Sequence, residues 1–301
     1  MRVAAVDCGT NSVRLLVRDL PGGELHREMR IVRLGEGVDR TGSLAPQAIS
    51  RTRAALASYA SVCTGLGVER IRMVATSATR DAANREEFVA MVVEVLGVKP
   101  EVITGDEEAA LSFRGATAEL DRVDGPFLVM DIGGGSTELV LGTTSVEAAC
   151  SVDVGCVRLT ERHLLSDPPT AAQVAAAKAD VDEALPSALA VVPAARARTA
   201  IGLAGSVTTV AALALELPSY QPEVIHLSRI SRADVRRITA ELLAMTHEQR
   251  STLAVMHPGR VDVIGGGALV LDRAMQLLSL DEVVVSESDI LDGIALSVGD
   301  T

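Results

Sequence analysis

Two stretches of this chain, DCGTNSVRLLV at 7–17 and DIGGGSTELVL at 131–141, align without a gap. Asp7 falls on Asp131, Gly9 on Gly133, Ser12 on Ser136 and Leu15 on Leu139. An acidic residue followed by glycines and small hydroxyl residues is a device for holding phosphate. Glycine permits unusual backbone angles and lets N–H groups approach an anion closely. The candidate donors are Thr10, Asn11 and Ser12 in the first copy and Gly133, Gly134, Gly135, Ser136 and Thr137 in the second. A carboxylate repels phosphate, so the sensible use of Asp131, and after it Glu138 and Asp7, is to hold Mg²⁺, partly through water. Either motif alone reads equally well as a tight turn in which Asp is favoured. Two in register make the phosphate reading the better one. The copies differ where Arg14 stands in the place of Glu138. One offers a cation for phosphate, unless Arg14 only lines the solvent face of a strand; the other offers a carboxylate for metal or water.

Around the first turn, VAAVD, SVRLLVRDL and ELHREMRIVRLG are β-rich runs separated by glycine and by the turn signal PGG, which predicts a three-stranded antiparallel meander. A dinucleotide-binding unit would need a helix directly after DCGTNS, and too few residues precede PGG for one. A helix from Pro46 to about Leu66, the strand RIRMVATSA, a helix from Asn84 to Leu96 with an Asn84/Glu87 capping box, the strand PEVITG and a helix from Glu107 follow. The second half restarts with PFLVMD, STELVLG and SVEAACSVDVG. It continues with an Ala-rich helix capped by Thr170 and Gln173, the strand TAIGLAG, the helix SVTTVAALAL, a strand-like DVIGGG, the strand EVVVS and a last helix from Asp289. The expected domains are 1–124 with a C-terminal helix over 287–301, and 125–286.

The length of 301 residues suits two domains, and 48% hydrophobic residues suffice for their cores. No apolar run approaches the ~20 residues of a membrane span, and MRVAAVDCGT lacks a signal-peptide core, so a cytoplasmic protein is expected, with no membrane partner. The cysteines (Cys8, Cys63, Cys150, Cys156) show no paired spacing and the histidines are scattered, which disfavours zinc and suits free thiols. A net charge of −12 argues against nucleic acid as a partner, though not against an anion held in a local pocket.

Beyond the doubled turn, ATSATRDAAN, ITGDEEAALSFRG, DVGCVRLTER, GLAGSVTT and RVDVIGGGALVL stand in the order found in the exopolyphosphatase and guanosine pentaphosphate phosphohydrolase family. The chain resembles that family along essentially its whole length, and most closely its short, two-domain actinobacterial exopolyphosphatases. The resemblance implies an α/β fold of two actin-like (ribonuclease H-like) domains of the sugar kinase and actin superfamily, with an interdomain cleft. It implies Mg²⁺-dependent release of terminal orthophosphate from inorganic polyphosphate, or from guanosine pentaphosphate, by a cytoplasmic homodimer.

Hydrolysis needs a water in line with phosphorus and a base to take its proton. Glu107 is explained without function, since Thr104 and Glu107 have capping-box spacing. Glu108 is not, and the resemblance makes it the base, while Glu138 either binds metal or orients the water. By resemblance Arg80 contacts the phosphate chain, although Thr76, Ser77 and Thr79 beside it could simply serve the turn. Gly205, Ser206 and Thr208 resemble a phosphate or nucleoside loop, with a plain helix N-cap by Ser206 as the competing reading. Arg260 resembles a substrate-facing position.

The match departs in two places. Longer members carry a further helical region, so short polyphosphates are the expected substrates; and Leu291 stands where many members have arginine. A phosphotransferase of the same fold would need a nucleotide pocket and an acceptor site, which are not legible. A non-catalytic polyphosphate or alarmone sensor would not need the full set of Asp7, Glu108, Asp131 and Glu138.

Overall fold

In the run RVAAVDC every residue after the first is buried, as happens when a strand is covered on both faces. This strand is β1 (Arg2–Cys8) of a computed structural model that describes residues 1–20 and 22–298. Pro21 of the PGG turn and positions 299–301 of the expected last helix lie outside the described residues. β1 pairs antiparallel with β2 (Ser12–Asp19), and β2 with β3 (Gly23–Ile31). There follow α1 (Val38–Thr41), α2 (Pro46–Gly65), β4 (Arg70–Ala75), α3 (Ser77–Asp81), α4 (Arg85–Leu96), β5 (Glu101–Val102) and α5 (Gly105–Thr117). β4 and β5 continue the sheet in parallel, giving the order β3-β2-β1-β4-β5. Alternation along β1 feeds two cores. Ala4, Val6 and Cys8 pack with Leu56 and Tyr59 of α2 and Phe88 of α4, while Ala5 packs with Leu111 of α5 and with Leu291 and Ile294. The Tyr59 hydroxyl donates to the Val13 carbonyl at 2.9 Å, tying α2 to the strand that leaves the first turn.

The second sheet repeats the plan with β6 (Phe127–Ile132), β7 (Thr137–Gly142) and β8 (Val146–Val152), then α6 (Cys156–His163), α7 (Ala171–Val191), β9 (Thr199–Leu203) and α8 (Ala204–Ala214). α9 (Pro222–Ile225), β10 (Arg229–Ser231), α10 (Arg232–Ala244), α11 (His247–Ser251), α12 (Ile264–Leu277) and β11 (Glu282–Val285) complete it, before α13 (Ile290–Val298). Its order is β10-β11-β9-β6-β7-β8. Strands β6, β7, β8, β9 and β11 occupy the places of β1 to β5, and β10 adds an antiparallel edge. The two sheets thus repeat one mixed α/β plan. The Thr170 and Gln173 capping box opens α7.

By contacts the chain divides into Met1–Gly115 with the segment from Ile290, and Ala116–Asp289. The divisions thus fall before 124/125 and after 287. α13 covers one face of the first sheet and is fastened by arginines. Arg27 pairs with Asp292 at 2.7 Å, and Arg114 and Arg72 reach the Leu296 carbonyl and the Ser297 hydroxyl. Leu291 is 1% exposed within that core, so the position at which the family resemblance led to arginine being expected is here a packing position.

Four local expectations are corrected. DVIGGG is not a strand: α12 starts at Ile264 and takes in all three glycines. Glycine disfavours helix, but a Cβ at Gly266 would lie 2.7 Å from Thr160 Oγ1, and one at Gly267 only 2.0 Å from Ser206 Oγ. Close helix packing therefore requires glycine there. Asn84 makes no cap on α4; its amide instead accepts from Leu44 N at 2.8 Å and donates to Leu44 O at 3.1 Å. Ser206 lies inside α8 rather than at its N-cap. PEVITG forms only the two-residue β5.

Two glycines should respond in opposite directions to alanine. A Cβ at Gly293 in α13 would stand 1.9 Å from the Leu111 carbonyl oxygen of α5. Gly293→Ala should therefore lower stability by at least ~1–3 kcal/mol in urea denaturation. Gly65, in the last turn of α2, has nothing within 4 Å of that position, and Gly65→Ala should raise stability by roughly 0.5 kcal/mol.

Candidate functional site

Each hairpin turn is closed by the same bond. Gly9 N donates to Ser12 O at 3.0 Å, and Gly133 N to Ser136 O at 3.0 Å. Neighbouring segments then hold the loop carbonyls. In the first unit Gly35 N donates to Thr10 O, and Val32 N and Arg33 N donate to Asn11 O. In the second, the start of α6 does the same work: Cys156 N donates to Gly133 O, Val157 N and Arg158 N to Gly134 O, and Arg158 Nε to Gly135 O at 2.8 Å. A trans peptide points its N–H opposite to its carbonyl. Fixing the carbonyls of 133, 134 and 135 towards α6 therefore turns the N–H groups of Gly134, Gly135 and Ser136 to the other side, as a row of anion donors. Asn11 N–H is turned the same way by the bond to Thr10 O. Gly155 permits the approach of α6, because a Cβ there would lie 2.6 Å from Gly134 O.

The cross-strand partners just inside each turn carry the charge. Asp7 faces Arg14 in the β1–β2 register, and Asp131 faces Glu138 in the β6–β7 register. In the first pair Arg14 Nη2 and Nε donate to Asp7 Oδ2 at 2.6 and 3.0 Å, so charge is balanced within the protein. In the second pair both groups are buried carboxylates, and like charges opposed across strands are destabilising. Ser151 donates to Glu138 Oε1 at 2.7 Å. This donor set suits a hard cation. Among the described residues no group of three or more His, Cys, Asp or Glu side chains could hold a metal. Two carboxylates leaving the other positions to water and phosphate oxygens is nonetheless the ordinary way of binding Mg²⁺, and not of binding zinc. Asp7, engaged by Arg14, is the poorer ligand.

The two adjacent glutamates of ITGDEEAAL have different fates. Glu107 is exposed, and its Oε2 accepts from Thr104 N and Oγ1 at 2.9 and 3.1 Å while Glu107 N donates to Thr104 Oγ1 at 3.2 Å. It is a capping residue. Glu108 is 8% exposed, and Arg80 Nη1 donates to its Oε2 at 3.1 Å and to Ile103 O at 3.0 Å. Arg80 thus belongs to α3, beside Ser77, whose hydroxyl meets that of Thr10 at 2.9 Å. In the first unit Thr10, Ser77, Arg80 and Glu108 are connected through these bonds and the shared helix α3, and Asn11, Ser12, Asp7 and Arg14 adjoin them on the same hairpin.

In the second unit Gly205 and Ser206 lie where β9 passes into α8 through Ala204, which holds a positive φ of 69°. Arg260, in a single helical turn at Pro258–Arg260, lays its guanidinium against Gly205: a Cβ there would fall 2.3 Å from Cζ. Its Nη1 donates to Thr209 Oγ1 at 3.3 Å. Ser206 faces Cys156 and Gly267, so it serves packing between α6, α8 and α12. Arg158 and Ser151, which contact the second hairpin, were not among the residues expected at the site, and DVGCVRLTER was the only signal for the former.

Residues 17–300 match the model of the Ppx/GppA phosphatase family. The chain is 54% identical to exopolyphosphatase 2 of Mycobacterium tuberculosis, over 99% of this chain and 98% of that protein. It is 32% identical to a guanosine-5'-triphosphate,3'-diphosphate pyrophosphatase of Vibrio atlanticus, over 99% of this chain and 59% of the relative. Among solved structures, an exopolyphosphatase-like protein superimposes with a TM-score of 0.97 at 45% identity, covering 100% of this chain and 99% of the other.

Two thiols adjoin the hairpins, and burial governs both. Burial foremost, and then the neighbouring Asp7 charge, push the Cys8 thiol far up; burial also raises Cys156, against the opposing effects of Ser206 and Arg260. Cys63 is pushed up to about 11, chiefly by burial, and only Cys150 is partly exposed. Iodoacetamide at pH 8 should label Cys150 first, with the other three at least roughly a hundredfold slower until the protein unfolds. Mass spectrometry of the labelled peptides reads this directly.

Proposed function

Because the chain belongs to the Ppx/GppA phosphatase family, we propose that it is an exopolyphosphatase, releasing terminal orthophosphate from inorganic polyphosphate by attack of water. The observation that carries this reading is the doubled hairpin with its amides turned outward, accompanied by a buried glutamate that capping does not explain. In the reaction Glu108 takes the proton of a water as its oxygen bonds to the terminal phosphorus. The bridging P–O bond breaks, and the shortened chain leaves as a phosphate, a good leaving group that needs little acid assistance. Arg80 fixes the Glu108 carboxylate and supplies positive charge beside it. The outward amides of each hairpin, Asn11 and Ser12 in the first unit and Gly134, Gly135 and Ser136 in the second, are suited to stabilise charge on phosphate oxygens; such donors contribute ~3 kcal/mol each in a transition state.

Asp131 and Glu138 would hold Mg²⁺, and Ser151 orients Glu138 for that purpose. A bound ion would neutralise charge on the phosphoryl oxygens. Arg14 does the corresponding work in the first unit by neutralising Asp7. The greater identity to the exopolyphosphatase, together with matched length, supports polyphosphate over a guanosine nucleotide as the principal substrate. The family resemblance also supports a cytoplasmic homodimer; no helix among the described residues is long and apolar enough to cross a membrane.

Phosphate release from polyphosphate should require Mg²⁺ and stop with chelator. Glu108→Gln should lower turnover by roughly 10²–10⁴-fold, whereas Glu107→Gln, whose amide oxygen can still close the capping box, should keep it within a few-fold with little change in stability. Asp131→Asn should raise the Mg²⁺ concentration for half-maximal rate at least about tenfold. Release from guanosine pentaphosphate alone would transfer the assignment to that substrate, and equal loss in the two glutamate variants would remove Glu108 from its role.

A further inference from the structure

Strands β6, β9 and β11 are parallel neighbours, so their carboxyl ends stand side by side on one edge of the second sheet. Ligands of such sheets sit on that edge. Read outward, it begins with the Asp131 hairpin. It passes the Gly205 turn, where Arg260 lies flat against the one residue type that allows it, and reaches Ser286 and Glu287 after β11. Ser286 N donates to Gly202 O at 3.0 Å, which locks the β11 end to the β9 end. The side chains between are joined. The Tyr220 hydroxyl lies 2.6 Å from Glu287 Oε1 and 2.7 Å from Thr208 Oγ1. A carboxylate only accepts, so the phenol proton goes to Glu287 and the threonine hydroxyl supplies the second bond. Burial first, and then the Glu287 charge, push the phenol well above its usual range, with Arg260 acting the other way. Tyr220 therefore remains a donor at working pH, between a carboxylate and a guanidinium. His226 Nδ1 accepts from Glu287 N at 3.2 Å and fixes the backbone as well.

A polyanion whose terminal phosphate sits on the hairpin amides would run outward past Arg260 and then meet a held negative charge. We infer that Glu287, fixed by Tyr220, is a specificity-determining residue that sets chain length by opposing phosphate residues extending past Arg260. The inference rests on the exopolyphosphatase reading and concerns discrimination, not the chemical step. Two unit charges a few ångströms apart at a protein surface interact strongly enough to alter binding at least about tenfold.

The test compares kcat/KM for tripolyphosphate with that for a chain of several hundred phosphates, in wild type, Glu287→Gln, Glu287→Ala and Tyr220→Phe, each checked for folding by thermal melting. Both Glu287 variants should raise the long-to-short ratio about tenfold or more. Tyr220→Phe keeps the charge and should change the ratio less than about threefold. An unchanged ratio in folded, active Glu287 variants overturns the inference and leaves the hydrolase reading intact. A shift as large in Tyr220→Phe, which keeps the Glu287 charge, overturns it too, since the hydroxyl network rather than the charge would then be responsible. No phosphate release from any chain by the wild type overturns the hydrolase reading, and this inference with it.

Discussion

A planar trans peptide cannot aim its carbonyl and its N–H to the same side, and the two glycine-bearing hairpin loops depend on that constraint. A glycine loop in isolation samples many orientations, and glycine loses more freedom on ordering than any other residue. Here the second loop is held by α6, whose first amides would otherwise lack intrahelical partners. Those amides donate to the loop carbonyls, so one set of bonds satisfies the helix end and orients the loop. The first loop gets the same result from the Val32–Gly35 segment, which is not helical. Different local structures thus produce one geometry twice.

Within that shared geometry the two copies have diverged electrostatically. A single cross-strand position decides whether the buried aspartate is neutralised by a neighbouring arginine or opposed by a second carboxylate. In the first arrangement the charge is balanced by the arginine across the strand. The second sets two buried carboxylates opposite one another, a pairing unfavourable in itself, at the place where the proposed Mg²⁺ would be held. Strain of this kind is expected where function rather than stability fixes the residues.

Much of this was legible in the sequence because it rests on local rules. The hairpins and the capping role of Glu107 follow from strand alternation and capping-box spacing, while Glu108 was singled out by the family resemblance. What was not legible depends on partners distant in the chain. The tripeptide GGG occurs at 133–135 as a hairpin loop and at 265–267 as the first turn of α12. Nothing local separates the two; the difference lies in Thr160, Cys156 and Ser206, which crowd the second and require glycine. Asn84 similarly reads as a helix cap until Leu44 claims both ends of its amide. Arg158 could not be read as a loop anchor before α6 was known to start beside Gly134.

The closing helix α13 has a consequence for the order in which the protein is made. Ala5, Leu16, Val74, Ile103 and Leu111 are covered by Ile290, Leu291, Ile294 and Ala295, which are synthesised after the whole of 116–289. At translation rates of roughly 5–20 residues per second, the first unit waits about ten to thirty seconds with one face of its sheet uncovered. That exposed face is the one that α5, the helix carrying Glu108, packs against. The helix that bears the candidate base therefore gains its full support only after Ile290–Ala295 have been made.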